Sequence, residues 1–200
     1  AGILLIKKQK QLSSLKIKDK KSQGVASQAD IAAEKIIVDG IKKSFPSHFV
    51  LAEESAFDEF KGQNERYNFL KDKEWVWVID PLDGTNNYLA GLDYFGICIA
   101  LVHYGVPQVS LVLRPQNGDC FYAIKNKGAF YKKYSDNLKT VTRAKKLAYR
   151  PTTKKLKESL LVTGFVTEKG DHFEQEFNFF KFMMSKSRGI RRMGSAALDM

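Results

Sequence analysis

Apolar and polar positions along the chain fall into blocks with two distinct periods. Residues 1–18 read as the end of an amphipathic helix, and Lys18 to Gly24 as a polar connector. Ser27-Gln28-Ala29-Asp30 has the pattern of a capping box. The helix it opens runs to Ser44, with Ala33, Ile37, Ile41 and Phe45 recurring every four residues on its inner face. Pro46 ends it. Phe49–Ala52 reads as a short strand that delivers Glu53 and Glu54 at its end, and residues 55–73 as a polar loop with room for one helical turn. Trp75–Ile79 is an apolar, aromatic and β-branched run, the pattern of a buried strand. Pro81 should stop it, because proline has no amide hydrogen to give a sheet.

Beyond this run the period is two. Strands are expected at 94–103, 106–114, 119–125 and 128–132, separated by the hairpin-like His103-Tyr104-Gly105, Gln116-Asn117-Gly118 and Asn126-Lys127-Gly128. Together they make an antiparallel meander packed on two N-terminal helices. Residues 134–158 turn polar and lysine-rich, which suggests a boundary between an N-terminal α+β domain, 1–150, and the start of a C-terminal α/β part, 151–200. In that part Ser159–Phe165 is expected as a strand and His172–Ser187 as a helix with Phe173, Phe177, Phe180 and Met184 along one stripe. Gly189–Met193 reads as a second strand, and Gly194-Ser195 opens another helix. Strand–helix–strand–helix is an α/β pattern.

Composition narrows the class. Hydrophobic residues make up 44% and charged residues 28% of the 200, ordinary for a globular protein, and no apolar run approaches a membrane span. Cys98 and Cys120 are too few and too far apart for a disulfide framework or a zinc site, which suggests a reducing, cytoplasmic setting. The net charge of +11 invites a nucleic-acid partner, but the lysines are spread and read as a solvated basic surface. The chain starts at Ala1 and stops at Met200 inside an apparent helix opening, so truncation at both ends is expected.

The candidate chemistry lies where the buried strand ends. Asp80 and Asp83 stand three apart on a turn, followed at once by Gly84 and Thr85. Asp-Pro and Asp-Gly are also ordinary turn dipeptides that bind nothing. The same two carboxylates are hard oxygen ligands for Mg²⁺, and amides after the turn can receive an anion. Asp30 in a helix's first turn and Glu53 at a strand end add further acids. Alone, the first reads as a cap and the second as a surface acid. Converged, the four would repel one another without cations. Two Mg²⁺ ions could then clamp a phosphoryl transfer, with Thr85 orienting a water and Asp30 accepting its proton.

At this point the motifs resemble a known family. WVWVIDPLDGTNNY resembles the signature of the inositol monophosphatases, SQADIAAEKII their helix with a catalytic aspartate, LAEES their Gly-Glu-Glu element and GIRRMGSAALDM their Arg-x-x-Gly-[ST]-Ala-Ala segment. The four occur in the family's order over nearly the whole chain. The resemblance implies a Mg²⁺-dependent, lithium-sensitive phosphomonoesterase with two or three ions, on a layered α-β-α-β-α sandwich of the sugar-phosphatase type, usually a homodimer. Carried over by position, Glu53, Asp80 and the Leu82 carbonyl bind the first metal, and Asp80 with Asp83 the second. Asp30 and Thr85 activate water, the Gly84 and Thr85 amides cradle phosphate, and Gly194, Ser195 and Ala196 contact the leaving alcohol. Glu54 stands behind the metal ligands.

The chain departs from the pattern in places. Ala52 stands for the usual glycine before the glutamates, Gly24 for a usual polar residue, and Val166 where many bacterial relatives have proline. The family's Trp-Asp motif, whose aspartate completes the second metal site, should lie downstream of Met200. The expected activity is hydrolysis of a small phosphorylated polyol, inositol monophosphate first. Histidinol phosphate, a nucleotide 3′-phosphate and fructose 1,6-bisphosphate are alternative substrates. A catalytically silent basic module that contacts RNA or protein is the alternative of another class.

Overall fold

The computed structural model describes residues 1–12, 17–19, 25–55, 63–135, 137–148, 155–164 and 173–200. Its centre is a seven-stranded sheet in the order β3-β4-β5-β6-β7-β8-β9. The strands are β3 (Phe49–Ala52), β4 (Trp75–Asp83), β5 (Gly96–His103), β6 (Val106–Arg114), β7 (Asp119–Ile124), β8 (Gly128–Lys133) and β9 (Lys145–Lys146). All neighbours pair antiparallel except β3 and β4, which run parallel. Two further two-stranded sheets flank it. β1 (Ile17–Asp19) pairs antiparallel with β2 (Val25–Ser27), and β10 (Leu160–Val162) pairs parallel with β11 (Gly189–Arg191). The class is α+β, and the meander expected from alternation is present, with one edge strand more.

Helices α1 (Gly2–Gln9) and α2 (Gln28–Ser44) cover one face of the sheet. Leu5, Ala29 and Ala33 pack with Leu82, Tyr88, Phe95 and Ile97, and Ile41 packs with Ala52 and Ile79. Helix α3 (Gln63–Asp72) lies on the other face, where Phe69 and Leu70 meet Leu51 and Val76. Tyr88 sits in the short helix α4 (Thr85–Leu89), fully buried, edge-on to Phe95 at 5.0 Å, and its hydroxyl donates to the Leu5 carbonyl at 2.9 Å. It ties α1 to the turn after β4.

Several expectations are corrected. Residues 17–19 form β1, not the end of an N-terminal helix, because they find a partner strand in 25–27. The polar stretch 55–73 contains a full helix, α3, since two apolar residues on one face suffice once the sheet offers a surface. Pro81 does not stop β4. The ladder pairs Asp80 with Cys98, then Asp83 with Gly96, and the proline sits in the bulge between them, where no ladder bond is needed. Phe45 does not join the inner face of α2: it is exposed and stacks on His48 at 5.0 Å. In α5 (Phe173–Lys186) Phe177 and Met184 are exposed, 48% and 53%, so that stripe is only half covered. Phe165, Val166 and His172, the cap side chain of Ser27, Gly24, and the expected domain boundary at 150/151 lie outside the described residues.

Tyr88→Ala should cost about 3–5 kcal/mol in urea unfolding, and Tyr88→Phe about 1 kcal/mol, through the lost bond to the Leu5 carbonyl. Equal losses would mean that the ring is not packed as described.

Candidate active site

The parallel register pairs Ala52 with Ile79, so the next residues of the two strands, Glu53 and Asp80, emerge side by side. Their carboxyl groups share a hydrogen bond. Burial, then the charges of Glu53 and Asp83, push the Asp80 carboxyl from its ordinary 3.8 up to about 8. The same field acts one strand away. Burial first, then Asp80, Asp83 and Glu53, push the Cys98 thiol up to about 12. Asp80 accepts the Leu82 amide at 3.0 Å, which closes the bulge, and the Leu82 carbonyl accepts the Thr85 hydroxyl at 3.0 Å.

Asp30 reaches this turn from the first turn of α2 and is only 2% exposed. The Thr85 hydroxyl lies 3.1 Å from Asp30 Oδ1 and 3.0 Å from the Leu82 carbonyl oxygen, so its one proton has two acceptors. Gly84 makes that geometry reachable. Its φ is +94°, and a Cβ there would stand 3.1–3.2 Å from the Tyr94 and Gly194 carbonyl oxygens and Ser195 Cβ. No side chain caps the start of α4.

Asp83 is turned to a different task. Its carboxylate accepts the Ser195 hydroxyl and the amides of Ala196 (3.3 Å) and Ala197 (2.8 Å) at the start of α6 (Ala196–Asp199). Amides at a helix start attract a carboxylate. Three donors leave about one of its four lone-pair positions open. Gly194 and Ser195 thus lie against the Asp80–Thr85 turn, although they come from more than a hundred residues downstream.

Two residues were missed by sequence reasoning. Glu34, 7% exposed, accepts the Glu54 amide at 2.7 Å and the Ser55 amide at 3.1 Å, and so anchors the backbone just after Glu53. Its signal was an acid one turn after Asp30, on the face that Ala33 and Ile37 share. Asn87 donates from Nδ2 to the carbonyls of Tyr94 and Met193, both at 2.7 Å, which clamps the 193–197 segment to α4. Nothing in the sequence alone marked that contact.

Glu53, Asp80 and Asp83 open onto two cavities that share Met200 in their linings. One, of about 490 Å³, is lined by Glu53, Asp80, Arg66 and Cys98; the other, of about 440 Å³, by Asp83, Ser195, Ala196, Arg192 and Thr163. Among the described residues no three acidic, histidine or cysteine side chains form a ready-made ligand set. The donors nevertheless suit one hard cation. Glu53 and Asp80 sit together at a cost in ionisation that a cation removes, and the Leu82 carbonyl, two residues after Asp80, is a neutral oxygen held by the Thr85 hydroxyl.

Fold and acid-bearing bulge together define the class. The inositol monophosphatase family matches residues 1–200, and the chain belongs to that family. Among its relatives, the Nus factor SuhB of Pseudomonas aeruginosa is 31% identical over 202 residues, covering 100% of this chain and 67% of the relative. That of Xylella fastidiosa is 32% identical over 200 residues and is covered to 64%. In structure, the extragenic suppressor protein suhB of Bartonella henselae superposes with a TM-score of 0.78 at 26% identity, over 99% of this chain and 67% of that one. The Thermotoga maritima IMPase does so at 0.74 and 28%, over 99% and 65%. The chain spans about two thirds of the length of these relatives.

The raised Asp80 pKa sets a pH dependence. Below about pH 4 the carboxyl is protonated in both folded and unfolded chains and costs nothing. Between 4 and 8 only the unfolded chain ionises, so stability falls as pH rises through that window. Thermal midpoints without divalent ions should fall from pH 4 to 8, added Mg²⁺ should restore them, and Asp80→Asn should flatten the slope. A flat profile in the unsubstituted protein would place Asp80 in a solvated setting.

Proposed function

We propose that the protein hydrolyses a phosphate monoester of a polyol, inositol monophosphate first, by attack of water on phosphorus. The observation that carries this is the Asp30–Thr85–Leu82 hydrogen-bond array beside the Glu53–Asp80 pair. Thr85 Oγ donates to buried Asp30 and keeps lone pairs for a water O–H. As that water attacks phosphorus and the bond from phosphorus to the alcohol oxygen breaks, the water's proton passes to Thr85 Oγ while the threonine proton passes to Asp30, and the leaving alkoxide takes a proton from solvent water in the open cavity. The Gly84 and Thr85 amides are the donors proposed for the phosphoryl oxygens. Glu53, Asp80 and the Leu82 carbonyl are the residues to hold Mg²⁺, which, when bound, supplies positive charge for the phosphoryl group and offsets the carboxylate repulsion. A second ion at Asp83 has to use the lone pair left open by its three donors. Gly194, Ser195 and Ala196 line the cavity proposed for the leaving alcohol.

Histidinol phosphate, a nucleotide 3′-phosphate and fructose 1,6-bisphosphate remain alternatives for the same chemistry. A homodimer and a cytoplasmic setting belong to the same proposal; among the described residues no helix is long and apolar enough to cross a membrane. The net charge of +11 and the name Nus factor among the relatives favour a second reading, a silent module that contacts RNA or protein.

Phosphate release from inositol 1-phosphate should require Mg²⁺. Thr85→Ala and Asp30→Asn should each lower kcat by about 10²–10⁴-fold with the fold intact by circular dichroism. Unchanged turnover in both variants would remove the array from catalysis, and no Mg²⁺-dependent release from any of the four substrates would favour the silent module.

A further inference from the structure

The basic charge is not spread evenly. Residues 121–148 hold eight basic residues and one acid, so 28 residues carry +7 of the chain's net +11. The fold gathers this segment on the far edge of the main sheet, in β7, β8 and the edge strand β9. Cross-strand register arranges it in two rows. Lys146 stands opposite Phe130, which stands opposite Tyr122; on the other face Lys145 stands opposite Tyr131, which stands opposite Phe121. Each row is therefore one lysine followed by two aromatic rings.

The rings touch within each row. Tyr122 and Phe130 stack at 5.1 Å and 16°, and Phe121 and Tyr131 lie 5.2 Å apart at 45°. Lys132 Nζ stands 5.5 Å over the Tyr122 ring. Phe121 is 41% exposed, although it is a large apolar ring in mid-strand. Among the described residues of this segment only Lys133 is ion-paired, to Asp119 at 2.8 Å; Lys125, Lys127, Lys145 and Lys146 are exposed. A merely soluble edge has use for the lysines, which block strand addition, but not for an exposed Phe121 ring leaning on a half-buried Tyr131 beside them.

We infer that the β7–β9 edge binds single-stranded nucleic acid, with bases stacked on the Phe121–Tyr131 row and phosphates on Lys145 of the same face and on Lys125 and Lys127 of the β7–β8 turn. Charge alone would suit any polyanion. The rings select a ligand with exposed flat bases, since a duplex hides its bases and an acidic protein or a lipid headgroup has none. The site lies four strands away from the β4 turn and is independent of the phosphatase reading.

The test is fluorescence anisotropy of the whole protein with a labelled 20-nucleotide oligouridylate, against a 20-base-pair duplex, heparin and anionic phosphatidylserine vesicles. Tight binding to the single strand should weaken with salt at a log–log slope of about −0.7 per phosphate contact, about −2 in all. The triple charge reversal K125E/K127E/K145E should abolish it, and Phe121→Ala should weaken the single strand about tenfold while leaving heparin unaffected. Circular dichroism and the thermal midpoint report whether the variants fold, and the milder K127Q/K145Q serves if the triple variant does not. No binding to the single strand, binding indifferent to the lysine substitutions, or an equal preference for duplex, heparin or vesicles would overturn the inference.

Discussion

Glu53 and Asp80 leave adjacent parallel strands at the same level, and the repulsion between them is the constraint around which this end of the molecule is built. Parallel neighbours in a sheet run about 4.8 Å apart, and the register that pairs Ala52 with Ile79 allows the two acids no separation. One proton shared between them lets the half-buried pair stay close, and the raised Asp80 carboxyl is the expression of that compromise. A hard cation would resolve it differently, by letting both ionise. Parallel pairing is itself the exception in a sheet that is otherwise antiparallel, and the crossover through α3 exists to return the chain in the required direction.

The rest of the site consists of devices that hold this strained end in shape. Glu34 ties the backbone after Glu53 to α2, the same helix that carries Asp30. Two acids one helical turn apart thus serve different ends: one buries a carboxylate against Thr85, and the other fixes the strand exit. Gly84 lets the turn fold back close enough to touch Gly194, and Asn87 and Asp83 clasp the 193–197 segment from two sides. Residues far apart in sequence therefore meet because polar side chains saturate backbone amides and carbonyls, not because a large apolar surface pulls them together.

What the sequence revealed and what it hid follow the same division. Periodicity marked α2, β4 and the β5–β8 meander, since each buries one face against a continuous neighbour. The acids were legible because carboxylates at strand ends, with glycine and threonine behind, are chemically distinctive. Helix α3 was hidden by its polarity, and the course of β4 past Pro81 by the bulge, which only the partner strand β5 makes possible. The clasp on Asp83 was invisible for a deeper reason: an aspartate that caps a helix and one that faces a metal are the same letter, and only the fold says which donors arrive. The stripe of α5 was read correctly as apolar, but apolarity does not state how much of it is covered.

The Glu53–Asp80 pair is proposed to hold a hard cation, with the Leu82 carbonyl as a third donor. Crystals grown with Mn²⁺, examined by anomalous scattering at the manganese edge, test it most directly. A peak is expected between the Glu53 and Asp80 carboxylates and the Leu82 carbonyl, absent in a Glu53→Gln/Asp80→Asn protein. Density only at other acids, or none at saturating Mn²⁺, would contradict the account.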